Sequence, residues 1–225
     1  MSFFDNILWN KIFKKDSLVD SSSSYTKEES QTKKFIIGKD ETLYNGVAFF
    51  HELIKDNLDN LVIVCIGTDK WIFDSLAPFV GSILESRGFD FPIYGTIESP
   101  IHAINLEDSL TKIKNNHPDG FFIAIDACYG HEESQFEIHL RDYPVHPGAG
   151  TNKHLPDVGN VSIVGIIAVS DDDIKLHEIR LRDVICVANK IVDILMNSVE
   201  SYKSIYLHKD DMLSFMNHSD RDCLK

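Results

Sequence analysis

Three long apolar runs constrain the fold of this 225-residue chain more than any other feature. They read LVIVCIG at 61–67, GFFIAIDA at 120–127 and SIVGIIAV at 162–169. Each run is continuous and rich in β-branched residues, which is typical of strands buried on both faces of a parallel sheet. Helical periodicity separates the runs. It predicts four helices. The first ends near Asn57, and the second has Pro78 in its first turn. The third covers Asn105–Asn116 with Asn105 as a cap, and the fourth extends from Leu181 to Leu195.

Two weaker patterns complete the predicted sheet. A short strand is expected around Pro92–Gly95. Phe136, Ile138 and Leu140 alternate with polar residues, which indicates a strand with one wet face, either at an edge or antiparallel. The order of elements predicts a three-layer α/β/α domain with a mostly parallel sheet.

Composition divides the chain into three parts. Residues 1–34 are predicted to be a flexible N-terminal segment and linker, because four consecutive serines stand in a stretch with little apolar content. Residues 35–205 form the single α/β domain, and residues 206–225 form a polar tail. Within the first part, residues 3–15 have helical spacing of apolar side chains. They are expected either to tether the protein weakly to a membrane or partner, or to fray.

Charge and cysteine usage exclude several function classes. The formal net charge is −13, so a general nucleic-acid interface is not expected, whereas a protein, peptide or small-molecule partner is. The four cysteines form no Cys-x-x-Cys pair, which argues against a zinc knuckle and favours reduced thiols in the cytoplasm. There is no apolar stretch of membrane-spanning length and no signal-peptide pattern. The oligomeric state is left open.

Acidic side chains follow two of the buried strands. The first strand leads into Gly67, Thr68 and Asp69, and Asp74 comes just ahead of the next helix, while Asp126 ends the second strand. Ligands of open α/β sheets bind at the carboxyl ends of the strands, so both carboxylates are expected in one crevice. Two facing carboxylates suit general acid and base roles, and they equally suit a metal. The structural alternatives are a helix cap for Asp74 and a loop tie for Asp126.

A third loop, at 146–154, is rich in glycine and polar residues and is expected to close the crevice. With Thr68 and Asp69, its residues Gly148, Gly150, Asn152 and Lys153 are the predicted substrate contacts. Lys153 or backbone N–H groups of this loop would stabilise an oxyanion.

Several motifs together resemble those of the YyaC family of spore-protease-like proteins. They are Cys65–Asp69 with Asp74–Pro78, Tyr94–Thr96, Pro100–Leu106, Ile125–Cys128 and Pro147–Lys153. That family is similar to the germination protease of spore-forming bacteria and to the hydrogenase maturation proteases. The resemblance implies a phosphorylase/hydrolase-like (HybD-like) fold. It also implies a place in the cytoplasm of the sporulating cell or in the spore interior.

The resemblance implies roles for the two aspartates. Asp74 and Asp126 match the positions that carry acid chemistry in the germination protease, which implies an aspartate-dependent peptidase acting in sporulation or germination, without a required cofactor. The maturation proteases imply the alternative of a metal-dependent hydrolase, with His146 or His154 nearest the equivalent position. Phe73 and Ala77 stand where family members commonly have glycine. Their added bulk implies a further alternative, a catalytically inactive peptide- or protein-binding module.

Overall fold

The computed structural model describes residues 33–38, 43–147, 155–169 and 179–200. Its strands are β1 (Lys34–Ile37), β2 (Leu61–Cys65), β3 (Ile93–Tyr94), β4 (Phe121–Gly130), β5 (Ile138–Arg141) and β6 (Val161–Val169). They form one sheet in the order β1-β5-β6-β4-β2-β3. The central pairs β2 with β4 and β4 with β6 are parallel, as is β2 with β3, whereas β5 is antiparallel to both β6 and β1. The sheet is therefore mixed and mostly parallel.

Four α-helices cover the two faces of this sheet. They are α1 (Tyr44–Ile54), α2 (Leu76–Ser86), α3 (Leu106–Asn116) and α4 (Leu181–Val199). Helices α1, α2 and α4 pack on one face against alternate strand residues such as Ile63 and Ile125. Helix α3 packs on the other face against Val62, Val64 and Ala124. Burial on both faces explains the continuous apolar runs, and the predicted three-layer α/β fold is confirmed.

The structure differs from the predicted elements in detail. Strand β1 is not anticipated by the sequence, because four residues between polar neighbours give too short a pattern. Strand β5 is antiparallel but lies inside the sheet, since β1 covers its outer side. Asn105 occupies the cap position of α3, yet its side chain bonds the His102 N–H and the Pro100 carbonyl, 2.8 and 3.0 Å away.

The predicted terminal segments lie outside the described residues. This applies to the N-terminal part through residue 32, including the proposed tether at 3–15, and to everything after Glu200. No helix in the described ranges combines the length and apolar character that a membrane crossing requires.

Candidate active site at the carboxyl ends of strands β2 and β4

A sharp turn of the chain after β2 brings Asp74 back to the end of that strand. Gly67 has a φ of +148°, and a Cβ on this residue would collide with the Asp74 carbonyl oxygen. The same carbonyl accepts a hydrogen bond of 3.0 Å from the Thr68 N–H. Only glycine combines this backbone conformation with so close an approach, so Gly67 fixes the closed form of the 68–74 loop.

Asp74 is the last residue of a 3₁₀ turn, Ile72–Asp74, that precedes α2. The cap position of α2 belongs to Ser75, whose hydroxyl donates to the Ile72 carbonyl at 2.6 Å instead of capping the helix. The alternative of Asp74 as a helix cap therefore does not apply. Its partly buried carboxyl group remains available to the crevice.

Asp126 lies inside β4 rather than at its end, which corrects the predicted strand boundary. Strand β4 continues to Gly130, but its pairing with β2 stops at Cys65 and Ile125. Asp126 is therefore the first residue of β4 beyond the shared ladder, and from here the strand pairs only with β6. Its Oδ1 accepts a hydrogen bond of 2.9 Å from the Ala127 N–H. The sequence does not reveal where β4 ends, because the strand continues past Asp126 through its pairing with β6.

Burial raises the pKa of both carboxyl groups. The pKa of Asp74 rises to about 7 because the group is desolvated, and the Thr68 amide offsets part of this effect. The pKa of Asp126 rises to about 8, mainly through desolvation and further through repulsion by Asp74. The charge of Asp74 acts on Asp126, so the two titrations are linked. Between pH 7 and 8 an ionised Asp74 stands near a protonated Asp126, which is the state that supplies a base and an acid together.

Three aromatic rings lie beside this pair. Phe73 stacks on Trp71 with ring centroids 6.3 Å apart, and it contacts the Tyr129 ring at 5.8 Å. Trp71 is 44% exposed and Tyr129 is 36% exposed, whereas Phe73 is partly buried against the core. The Phe73–Tyr129 contact also places the Asp74 turn against the second half of β4. The rings form an aromatic wall along the Asp74 turn.

The other predicted site residues have different surroundings. Thr68 is buried and its hydroxyl accepts a hydrogen bond from the Lys70 N–H, while Asp69 is exposed. His146 is exposed and lies 2.6 Å from Asp157. Gly148, Gly150, Asn152, Lys153 and His154 lie outside the described residues. Among the residues that the structure does describe, no three His, Cys, Asp or Glu side chains form a group able to hold a metal ion.

Two residues near the pair are not anticipated by the sequence analysis. Tyr129 belongs to the part of β4 beyond the predicted strand 120–127, and Arg141 lies on β5. The charge of Arg141 lowers the pKa of Asp126 and thereby offsets part of its rise. A signal for Arg141 exists in the sequence, because it belongs to the alternating polar positions of the strand predicted to have one wet face.

A cavity of about 380 Å³ opens at the opposite edge of the sheet. It lies at the amino ends of β2 and β4, beside Asp59, Asp90 and His117. It shares no residue with the aspartate crevice. The carboxyl edge is the stronger candidate, because paired groups with displaced pKa values mark functional sites more specifically than concavity alone.

Comparison with known proteins identifies the family. A family profile described as "Protein of unknown function (DUF1256)" matches residues 35–194. The chain belongs to the DUF1256 family. It is also 40% identical over 136 residues to "Uncharacterized protein YyaC" of Bacillus subtilis (strain 168). That alignment covers 59% of this chain and 66% of the relative, slightly under two thirds of its length. The YyaC-family membership predicted from the motifs is confirmed, and the DUF1256 match includes both aspartates.

Proposed function

We propose that this protein hydrolyses peptide bonds with Asp74 and Asp126 as the acid and base. The observation that carries the proposal is the pair itself, two carboxyl groups at the carboxyl edge of the sheet with pKa values raised to about 7 and about 8. A pair that shares one proton at neutral pH can act without a cofactor. The resemblance to spore-protease-like proteins supports action in sporulation or germination.

The chemistry follows from the shared proton. The ionised carboxylate accepts a proton from a water molecule while that water attacks the peptide carbonyl carbon. The protonated carboxyl donates its proton to the carbonyl oxygen, and a tetrahedral diol results. Transfer of a proton to the amide nitrogen then lets the C–N bond break, which releases a carboxylic acid and an amine. The pair returns to its singly protonated state.

The neighbouring aromatic wall supports a peptide as the substrate. Trp71 and Tyr129 expose ring surface next to the carboxyl groups, where an apolar side chain of an extended peptide can pack. Aromatic surface of this kind contributes binding energy without charge, which suits a protein whose own net charge is −13.

Cleavage of a spore-protein extract and of casein, followed by mass spectrometry of new termini, tests the proposal. Asp74→Asn and Asp126→Asn should each lower kcat at least 100-fold, because neither amide can exchange the required proton. Asp59→Asn is the matched control, since Asp59 is exposed and lies at the opposite edge of the sheet. Equal cleavage by wild type and Asp126→Asn would refute the proposal, as would no cleavage by wild type.

A binding module is the second candidate, and the exposed aromatic wall favours it. Trp71 and Ile72 are 44% and 46% exposed immediately ahead of Asp74. In a binding module these side chains would hold a peptide that is not cut. Trp71→Ala should then weaken peptide binding about tenfold while Asp126→Asn leaves it unchanged. Calorimetric titration of each variant, with a peptide that the wild-type protein binds but does not cleave, separates the two functions.

A further inference from the structure

Strand β5 and the residue before it present three polar side chains to the α3 side of the sheet. Ile138 and Leu140 face the large core on the other side, so the alternating residues Glu137, His139 and Arg141 face the side of α3. Helix α3 itself covers β2 and β4 with apolar residues. The polar side chains of β5 thus lie next to that apolar layer, on the same face as Asp126.

Hydrogen bonds along β5 fix the direction of the Arg141 side chain. Its Nη2 donates to His139 Nδ1 over 3.4 Å, and His139 Nε2 lies 2.9 Å from Glu137 Oε2. Because a guanidinium only donates, Nδ1 must accept and Nε2 must carry the proton that Glu137 receives. Burial lowers the pKa of His139, in agreement with a neutral ring. The guanidinium also lies over the Tyr143 ring, 5.6 Å from its centroid.

The strand register aligns this chain of side chains with Asp126. His139 is opposite Val164 of β6, and Val164 is opposite Asp126 of β4. Asp126 and His139 are therefore two strands apart in one row, or about 10 Å between Cα atoms. The Cα atom of Arg141 lies two residues beyond that of His139 along β5, opposite Ser162. The Arg141 side chain is turned back toward His139. Its charge reaches both Asp126 and Cys128, lowering the pKa of each.

The Arg141 guanidinium has no carboxylate partner in the described part of the chain. No carboxylate there lies within ion-pair distance of it, and its buried Nε makes no hydrogen bond there. A half-buried cation normally has a carboxylate partner, because desolvation is otherwise costly. Asp126, in the row toward which the side chain of Arg141 is turned, is a carboxyl group on which its charge acts.

We propose that Arg141 is the counter-charge of the Asp74–Asp126 pair, and that His139 and Tyr143 hold its guanidinium in that position. Arg141 is a positioning residue, because it acts through the carboxyl groups. Its positive charge favours the singly ionised pair over the fully protonated one. The catalytic consequence rests on the proposed peptidase function, whereas the electrostatic link does not.

Other charged and titratable groups near this row are few. Lys34 of β1 is paired with Arg141 and acts on Cys128 and His139. His139 belongs to β5 and Glu137 directly precedes this strand, while Cys128 belongs to β4 and Tyr143 to the loop after β5. Strand β6 contributes Ser162, which bonds the Tyr143 carbonyl, and the buried side of α3 is apolar. Arg141 and Lys34 are the two cations among these described residues, and of the two only Arg141 lowers the pKa of Asp126.

Carbon-13 NMR titration of the aspartate carboxyl groups tests the link without any substrate. In Arg141→Met the titration of the pair should move upward by about one pH unit, because the favourable charge is gone. Arg141→Lys should move it less, since the charge remains but the contacts with His139 and Tyr143 do not. Lys112→Met removes one positive charge from the exposed side of α3 and should leave the titration unchanged.

The pH profile of peptide cleavage provides the second readout. Both limbs should move to higher pH in Arg141→Met by the same shift that the titration gives. An unchanged titration in folded Arg141→Met, or an equal shift in Lys112→Met, overturns the inference. If wild type cleaves no peptide, the proposed function fails while the titration still decides the role of Arg141. If Arg141→Met does not fold, His139→Gln replaces it, and absence of any upward shift there overturns the inference.

Discussion

Replacing Asp126 by asparagine should stabilise the protein at alkaline pH. The pKa of Asp126 is raised from 3.8 to about 8 in the folded protein, so the folded state binds more protons than the unfolded state between these values. Stability therefore falls as the pH rises from about 4 to about 8, and below pH 4 the penalty is absent. Asparagine has nearly the same shape and carries no charge, so the variant does not suffer this loss.

The size of the effect follows from the displacement of the pKa. The rise of about four units corresponds to about 5.6 kcal/mol as an upper limit, since each unit is worth about 1.4 kcal/mol. Asp126 keeps some solvent contact and titrates together with Asp74, and both facts reduce the net penalty. We expect Asp126→Asn to be more stable than wild type by about 2 to 3 kcal/mol at pH 8.5, and about equal to it at pH 4.5.

Urea unfolding followed by circular dichroism at the two pH values measures this difference. Asp59→Asn is the control, because Asp59 is exposed at the other edge of the sheet and its replacement should not alter the pH dependence of stability. A constant difference between Asp126→Asn and wild type at pH 4.5 and 8.5 would contradict the reasoning. Asp126 would then be ionised in the folded protein at ordinary cost.

Three further substitutions, with Gly88→Ala as a control, test the packing of the fold and of the Asp74 turn. Gly67→Ala should destabilise the protein by about 3 kcal/mol in urea unfolding, because its Cβ meets the carbonyl of the Asp74 turn. Gly88→Ala, at a φ of +71° in open space, should cost only about 1 kcal/mol. His51→Leu should cost about 2 kcal/mol in the same assay, since a buried carbonyl of α4 loses a hydrogen bond of 2.6 Å. Phe73→Ala should speed hydrogen exchange in the 72–74 turn about tenfold, because the ring contact with β4 is lost.

The buried strands are predictable because their pattern is strong. Residues 61–65 are buried without exception, and continuous β-branched runs of this kind have few other interpretations. The additional strand β1 and the internal place of β5 are not predictable in the same way. Both depend on pairing between segments about 100 residues apart, and four-residue strands carry little periodic information.

The candidate site is predictable in part for a related reason. Position at the carboxyl ends of β2 and β4 is enough to select Asp74 and Asp126. Arg141 is not selected, because it belongs to an antiparallel strand whose polar positions look like a solvated face. Only the register through β6 shows that this face continues into the row containing Asp126. Polar alternation in an internal strand therefore indicates a buried polar network as readily as a wet surface.

Phe73 and Ala77 stand where the motif resemblance implies glycine, and neither strains the backbone of this chain. Phe136 is the one non-glycine residue with a positive φ in the described ranges, so neither replacement requires a backbone conformation reserved for glycine. Ala77 is fully buried in α2, where alanine favours the helix more than glycine does. The Phe73 ring lies between Trp71 and Tyr129 and joins the Asp74 turn to β4. Aromatic packing thus holds Asp74 near Asp126, a rigid arrangement that serves acid–base catalysis as well as it serves binding.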